Sequence, residues 1–168
     1  MSDPSAQGIR VRPMDDTDGG AVWRVLEPII RAGDSYALPR DMGAEAALAY
    51  WRAPENEVFV AEVGGELLGT YYIRPNALGG GAHVANCGYM TAPWAGGRGV
   101  ARAMCAHSLA YARDHGYRAM QFNLVVSSND RAVKLWQRFG FAIVGRLPGA
   151  FEHPRLGFVD AFVMFRAL

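Results

Sequence analysis

A glycine-rich segment between a predicted strand and a predicted helix constrains the fold of this chain more than any other stretch. It reads Ala95-Gly96-Gly97-Arg98-Gly99-Val100-Ala101, and its three glycines in four positions let the backbone turn sharply because no Cβ is in the way. The amides exposed in such a turn point toward the start of the next helix, where the helix dipole adds partial positive charge. The segment therefore predicts a receptor for phosphate oxygens, although glycine clusters also form ordinary turns.

The composition predicts one soluble globular domain. At 168 residues the chain has the length of a single domain, and its hydrophobic fraction of 51% and charged fraction of 20% are those of a folded protein rather than a disordered one. We expect residues 1–8, which are small and polar, to form a disordered tail, and residues 9–168 to form the domain.

Several classes of function find no support in the sequence. The formal net charge of +1 argues against wholesale nucleic-acid binding, and no apolar run approaches the roughly 20 residues that cross a bilayer. The first residues lack the basic and apolar regions of a secretion signal. The two cysteines, Cys87 and Cys105, have no metal-ligand spacing. We therefore expect a cytoplasmic protein with reduced thiols and no metal site.

The hydrophobic pattern predicts an α/β chain in which strands and helices follow a definite order. Strands are expected at residues 9–14, 58–63, 67–73, 83–91, 119–126, 141–147 and 158–165. A first helix carries apolar residues over 22–30, with a kink or break at Pro28 and a stop at Gly33. Further helices are expected at 42–52, at 100–115, and from Ser127 or Ser128 to 138. This order gives a mixed sheet with helices on both faces and right-handed crossovers between parallel strands.

Four irregular features are predicted around this framework. Gly64-Gly65-Glu66 forms a tight turn, so the strands beside it are a hairpin. Residues 76–82 are expected to form a mobile loop beside the site, and residues 148–157 a second loop. Gly88, inside a predicted strand, marks a bulge.

Two motifs in the second half of the chain resemble those of the GCN5-related N-acetyltransferases. Residues 96–101 resemble the pyrophosphate loop of that family, R/Q-x-x-G-x-G/A, and residues 129–141 resemble its N-x-x-A-x-x-L-Y-x-x-x-G-F signature. The resemblance implies an α/β fold of mixed α+β type, with a central, mixed, mostly antiparallel seven-stranded sheet that contains a splayed parallel pair. It also implies an acyl-CoA N-acyltransferase with acetyl-CoA as its co-substrate and no metal.

The chemistry of acetyl-CoA explains why the family needs these residues. Amides at the start of a helix would hold the pyrophosphate, and a strand splayed by the bulge near Gly88 would pair with the amide-bearing pantetheine arm. The Tyr89 amide would polarise the thioester carbonyl as an oxyanion hole does, and Asn129 would either fix the arm or cap its own helix. The cofactor-binding residues implied by the resemblance are Tyr89, Met90, Thr91, Gly96, Gly97, Arg98, Gly99, Val100, Ala101, Asn129, Ala132 and Trp136.

The sequence departs from the family pattern at two positions. Gly96 stands at the first Q/R position of the loop, which removes a side chain but no backbone amide. Trp136 stands where many members have a tyrosine that protonates the departing CoA thiolate, and an indole has no proton to give near neutral pH. Either another group such as Tyr89 or water takes that role, or the thiolate, with a pKa near ~8.5, leaves unassisted.

A narrower likeness concerns the acceptor. Residues 72–76, 83–89 and 121–125 resemble the branch that contains the yeast proline-analogue acetyltransferase, which acetylates L-azetidine-2-carboxylate. In that branch the asparagines that match Asn86 and Asn123 serve the acceptor, so these two residues are the catalytic residues that the likeness implies. Tyr89 joins them as a catalytic candidate for its amide and its phenol. The alternative is that both amides only tie down backbone where the strands splay.

Other polar residues have simpler interpretations beside functional ones. Cys87 lies beside the expected thioester, but an unactivated thiol on a strand is usually an apolar filler. Glu62 is a possible base acting through water or an outward-facing charge, and His153 is a weak candidate for substrate contact. The residues that we expect to line the acceptor pocket are Tyr36, Tyr71, Tyr72, Phe151 and Phe158.

These residues and the resemblance predict an acetyl-CoA-dependent N-acetyltransferase in which a small-molecule amine, such as an amino acid or proline analogue, attacks directly. The alternatives are a protein or peptide N-terminal acetyltransferase, which the loops at 76–82 and 148–157 would hinder, and a CoA-binding module without catalysis. No nucleic-acid or membrane partner is expected, and a homodimer is possible.

Overall fold

The computed structural model describes residues 8–168, so the predicted tail lies outside the described residues except for Gly8. The described residues form seven strands and four α-helices in the order that the sequence predicts. None of these helices is long and apolar enough to cross a membrane. The strands are β1 (Arg10–Pro13), β2 (Glu57–Val63), β3 (Glu66–Pro75), β4 (Val84–Thr91), β5 (Ala119–Val126), β6 (Ala142–His153) and β7 (Gly157–Ala167). The helices are α1 (Gly19–Ala32), α2 (Ala44–Trp51), α3 (Val100–Asp114) and α4 (Asp130–Arg138).

All seven strands join one mixed sheet in the order β1-β2-β3-β4-β5-β7-β6. Neighbouring strands are antiparallel except β4 and β5, which are parallel and connected through α3. This is the predicted fold. It places the carboxyl ends of β4 and β5, each followed by a helix, at the same edge of the sheet.

Strand β3 shows that helices cover both faces of the sheet, because its side chains alternate between two layers. On one face, a Cβ on Gly69 would lie only 2.7 Å from Val100 in α3. On the other face, the indole of Trp51 in α2 donates a hydrogen bond of 3.0 Å to the hydroxyl of Thr70. Residues 67–73 are all buried as a result, and the core lies on both sides of this strand.

One predicted helix boundary, the stop at Gly33, is confirmed, and another changes. Helix α1 runs through Pro28 without a break and ends before Gly33, whose φ of 65° is left-handed as a helix-terminating glycine requires. Helix α4 is capped by Asn129, whose side-chain oxygen accepts from the amide of Ala132 at 3.3 Å. The predicted cap at Ser127 or Ser128 is therefore wrong, because Asn129 supplies the acceptor one position later.

The predicted loop at 148–157 is also wrong, since β6 extends to His153. Pro148 and Gly149 gave the turn signal, but the strand absorbs them in a register shift against β7 between Leu147 and Phe151. Asp160 of β7 anchors this irregular stretch by accepting a hydrogen bond of 2.9 Å from the amide of Gly149.

Gly88 does not form the predicted bulge. The pairing of β3 with β4 is regular from Gly69 opposite Thr91 to Pro75 opposite Ala85. A Cβ on Gly88 would instead lie 2.5 Å from the ring of Tyr72, the residue opposite it. Glycine is required here because an aromatic ring packs directly on the backbone.

Candidate active site

The parallel pair β4–β5 separates soon after it begins. Only two pairs are in register, Val84 with Ala119 and Ala85 with Met120. Beyond them a cavity of about 440 Å³ opens between the strands, and residues of β4, β5, α4 and the loop between α1 and α2 line it. The splayed pair that the resemblance implied is therefore present, although no bulge at Gly88 produces it.

The β4 edge of this cavity carries main-chain groups without a strand partner. The amide of Asn76 donates to Val84 at 2.7 Å and that of Ala92 donates to Leu68 at 2.8 Å, which fixes the alternation of the antiparallel ladder. By that alternation Met90 directs its N–H and C=O toward β3. Tyr89 and Thr91 direct theirs toward β5, into the cavity. An amide-bearing chain can pair with this edge as an added strand.

Tyr36, in the loop after α1, occupies part of that edge. Its hydroxyl donates a hydrogen bond of 3.0 Å to the carbonyl of Tyr89. Burial raises the pKa of Tyr36 well above its usual value, so the phenol stays protonated and remains a donor at neutral pH. The loop is thereby held against β4, and the N–H of Tyr89 is left facing the cavity.

The two predicted asparagines both line the cavity, and both already have partners. Buried Asn86 donates 2.9 Å from its side-chain amide to the carbonyl of Gln121, one residue beyond the last β4–β5 pair. Asn123 is exposed and donates to the side-chain oxygen of Asn76 at 2.7 Å, while it accepts from Gln121 at 2.9 Å. Asn86 thus joins β4 to β5 at the point where the two strands separate, which is the structural alternative given in the sequence analysis. Binding of the acceptor substrate by Asn86 and Asn123 stays a prediction.

The phenol of Tyr89 points away from the position of a general acid. Its oxygen lies 2.7 Å from the hydroxyl of Ser108 in α3, and Ser108 donates to the carbonyl of Cys105. The Tyr89 proton is therefore committed to Ser108. Burial also raises the pKa of Tyr89 well above its usual value, so the side chain is a poor proton donor to a thiolate.

Trp136 lies where its position in the motif predicted, on α4 and in the wall of the cavity. Its ring packs 4.9 Å from that of Tyr89 and 5.0 Å from that of Phe122, between centroids, and only 8% of the residue is exposed. In the described chain the one buried side-chain polar atom without a partner is Oδ1 of Asn56. The indole N–H, which has no acceptor among the described residues, therefore reaches the cavity or solvent.

The glycine-rich segment follows β4 and leads into α3 outside the cavity lining. Gly97 and Gly99 have φ values of 75° and 78°, which only glycine adopts at little cost. No hydrogen bond within residues 8–168 uses the amides of Gly96, Gly97, Gly99, Val100 or Ala101. The Arg98 amide differs from the prediction, because it already donates to the carbonyl of Ala95 at 3.3 Å. The free amides at the start of a fifteen-residue helix fit a diphosphate.

Of the two roles considered for Asn129, capping is the one observed, and Asn129 and Ala132 also line the cavity on the α4 side. These two residues, the free glycine-loop amides and the β4 edge border the same opening of the sheet. Met90 contributes its buried side chain to the wall rather than a main-chain hydrogen bond.

Two side chains that the sequence offered as nucleophile or base, Cys87 and Glu62, are disfavoured by their surroundings, and His107, which the sequence did not offer, already has a partner. Burial raises the pKa of the Cys87 thiol to about 12, so almost no thiolate exists at neutral pH. Glu62 lies outside the cavity lining and accepts from Arg12 at 3.1 Å and 3.2 Å. His107 pairs with the Tyr71 hydroxyl at 2.7 Å beneath α3.

His153 borders a second cavity, of about 340 Å³, which shares Ser35 and Asn129 with the first. Its Nδ1 accepts from the backbone amides of Arg155 and Leu156 at 3.1 Å and 3.2 Å, so it shapes the β6–β7 turn. The ring is 6% exposed and is held as the tautomer with hydrogen on Nε2. Its substrate contact stays a prediction.

Sequence reasoning found part of the acceptor side of the cavity. Tyr36 and Tyr72 line it as predicted, whereas Tyr71 faces α3 and Phe158 is 74% exposed. Phe151 is buried but does not contribute to the cavity. The sequence analysis did not name Arg74 as a residue of the cavity. The signal was there, because Tyr72 and Arg74 are two residues apart and therefore lie on the same face of the strand. Ser35, Leu38 and Tyr50 were missed for want of any signal.

Comparison with known proteins decides the family. A model of the acetyltransferase (GNAT) family matches residues 23–141. The chain belongs to the GNAT family. A structure of a GCN5-related N-acetyltransferase from Kribbella flavida is 40% identical, covers 96% of this chain and 99% of its own, and superposes with a TM-score of 0.92.

Two more distant relatives share part of the sequence or the fold. N-acetyltransferase aca1 of Schizosaccharomyces pombe is 33% identical over 98 residues, which are 58% of this chain. The match spans about half of that curated relative, 47% of its length. A phosphinothricin acetyltransferase from Sinorhizobium meliloti, solved in complex with acetyl-CoA, shares the fold at 17% identity, with a TM-score of 0.83 over 96% of this chain and 89% of its own. The matching model describes a family of acetyltransferases, so the chain belongs to a family of that class.

Proposed function

We propose that the chain is an acetyl-CoA-dependent N-acetyltransferase whose acceptor is a small-molecule amine, with amino acids and proline analogues as the first acceptors to test. One observation carries the proposal: the N–H of Tyr89 and the N–H and C=O of Thr91 have no strand partner and face the cavity, and the free amides of the glycine loop follow Thr91 a few residues along the chain. That arrangement suits a ligand with an anionic end and an amide-bearing arm.

Different residues of the chain bind different parts of acetyl-CoA. The amides of Gly97, Gly99, Val100 and Ala101 bind the diphosphate without a side-chain cation. Tyr89 and Thr91 bind the arm. The Tyr89 N–H is positioned to donate a hydrogen bond to the thioester oxygen as negative charge develops there. Acetyl-CoA supplies the activated acetyl group, and the cavity brings the amine to it, which removes much of the entropic cost of meeting.

Proton transfer has few protein participants at this site. Among the described residues that line the first cavity there is no carboxylate and no histidine. The amine must therefore enter neutral or lose its proton to water before it attacks. The thiolate can accept a hydrogen bond from the Trp136 indole but no proton, since indole is not an acid near neutral pH.

A second candidate is a CoA-binding module without catalysis, which Trp136 favours because it replaces the expected acid. Peptide N-terminal acetylation loses part of one objection, since residues 148–153 extend a strand and do not form the predicted loop. The loop between α1 and α2 instead contributes its residues 35–38 to the cavity wall.

Calorimetry and a thiol-release assay test the proposal together. Acetyl-CoA should bind purified protein, and thiol should appear with free amino acids rather than with peptides. Gly97→Ala should weaken acetyl-CoA binding about tenfold, because a left-handed backbone costs a residue with a Cβ about 1–2 kcal/mol. Gly20→Ala, in open space on α1, is the matched control and should bind normally. No heat with acetyl-CoA would refute the proposal, and binding without turnover of any acceptor would favour the module.

A further inference from the structure

A single charged side chain, that of Arg74, lines the first cavity within the described chain. The other lining residues are apolar, aromatic, hydroxyl-bearing or amide-bearing, and none of them carries a carboxylate to balance the cation. A cation in the wall of a cavity that holds no carboxylate favours an anionic group on the ligand that enters.

The position of the guanidinium places it near the expected reaction centre. Its central carbon lies 5.6 Å from the centroid of the Tyr72 ring, and that ring packs directly on the backbone at Gly88. Gly88 precedes Tyr89, whose N–H faces the cavity. One aromatic ring therefore separates the cation from the segment of β4 that would hold the thioester.

Within residues 8–168, most hydrogen-bonding capacity of Arg74 is unused. The one hydrogen bond found there runs from Nη1 to Oε1 of Glu55, is 3.4 Å long, and joins side chains that are 32% and 55% exposed. Such an exposed pair is weak. A guanidinium has five N–H donors in a planar fork that matches a carboxylate in a bidentate way, so a second anion can be accommodated.

We propose that Arg74 is a specificity-determining residue that binds an anionic oxygen group of the acceptor, which in an amino acid is its carboxylate. The inference rests on the proposed function and narrows it, because it selects acceptors that carry both an amine and an acidic group. Tyr72 holds the guanidinium in place through its ring face. Asn86, opposite Arg74 on β4, keeps its side-chain oxygen free of any bond within the described chain, so an ammonium or amine can use it.

The test compares each acid with its own carboxamide. Free amino acids, including L-proline and L-azetidine-2-carboxylate, are assayed beside their carboxamides with wild type, Arg74→Gln and Arg74→Lys. Wild type should prefer the acid, and Arg74→Gln should lose about ten- to a hundredfold in kcat/KM for the acid with little change for the carboxamide. Arg74→Lys should lie between them, since it keeps the charge without the fork. The ratio between variants cancels the different basicities of the two amines.

Controls separate this inference from the function on which it rests. Arg113→Gln, at an exposed position near the end of α3, should leave both substrates unchanged. Equal losses of kcat/KM for the acid and the carboxamide in Arg74→Gln would overturn the inference, and so would equal kcat/KM for the two in wild type. In either case the observed turnover would still support the proposed function. If wild type binds CoA but turns over nothing, thermal shifts of the CoA complex give the answer. The amino acid, but not its carboxamide, should then raise the melting temperature of the wild-type complex, and neither should raise that of Arg74→Gln. Equal shifts of the wild-type complex with the acid and with the carboxamide would overturn the inference.

Discussion

Cys87 shows at the scale of one residue how burial decides between two chemistries. The thiol lies beside the splayed strands, where a nucleophile would be useful, yet its surroundings raise its pKa from 9.0 to about 12. The proton on sulfur is therefore retained through the pH range in which an enzyme of this class works. Direct attack by the acceptor amine needs no thiolate, which agrees with the inert environment of Cys87.

This shift has a consequence for stability at high pH. The unfolded thiol titrates near 9.0 and the folded one near 12, so the contribution of Cys87 is fully present below pH 9 and is lost as the pH rises toward 12. The free energy of unfolding of wild type should therefore fall more steeply across that range than that of Cys87→Ala. Urea denaturation at several pH values measures both slopes, and the tyrosines, common to both proteins, cancel. Parallel slopes would contradict the shift.

Trp136 raises a second question at the scale of one residue, namely whether protonation of the leaving thiolate limits turnover. It replaces the tyrosine that would supply the proton, but it still lines the cavity. Trp136→Tyr should raise kcat over Trp136→Phe, on the order of tenfold. This is below the usual contribution of a general acid because a thiolate with a pKa near ~8.5 already leaves readily. Both rings preserve the packing against Tyr89 and Phe122, so Trp136→Phe is the control for shape. Equal kcat values would mean that leaving-group protonation does not limit turnover.

At the scale of the element, β3 and β4 act as one unit, and Gly88 is the position where their packing is tightest. Gly88→Ala should cost about 1–3 kcal/mol in unfolding free energy, because its Cβ would meet the Tyr72 ring at 2.5 Å. The cost should shrink in a Tyr72→Ala background, with a coupling of about 0.5–3 kcal/mol in a double-mutant cycle. A glycine required for a bulge would instead give the same penalty in both backgrounds.

The elements also show what local sequence can predict. Strand and helix order, the hairpin at residues 64–66 and the glycine loop all follow from short-range patterns, and each is present. Pro148 and Gly149 misled because their turn signal is local, whereas Asp160 on another strand holds them in the sheet. The spacing of Tyr72 and Arg74 places both on one strand face, but the importance of Arg74 comes from the absence of other charged side chains among the described residues of a cavity built from distant segments.

At the scale of the whole molecule, the sheet consists of two halves that are joined by few hydrogen bonds. The main chains of β1–β4 and β5–β7 meet in two residue pairs and in the bond from the Arg118 amide to His83. Side chains add the bond from Asn86 to Gln121 and the bond from Asn123 to Asn76. Beyond the paired residues the halves are separated by the cavity. A ligand that pairs with the β4 edge supplies contacts that the sheet itself lacks.

Acetyl-CoA should therefore stabilise the molecule and protect particular amides. At a hundred times its Kd it adds about 2.7 kcal/mol, and at roughly 2–4 °C per kcal/mol for a domain of this size the melting temperature should rise by about 5–10 °C. Hydrogen exchange should slow most at Tyr89 and Thr91, whose N–H groups face the cavity, while Gly88 and Met90 exchange slowly with or without ligand because β3 holds them. Alanine at Asn86 should reduce the protection by loosening the junction of β4 and β5. Protection spread evenly over these four amides would show that the donor does not bind as an added strand.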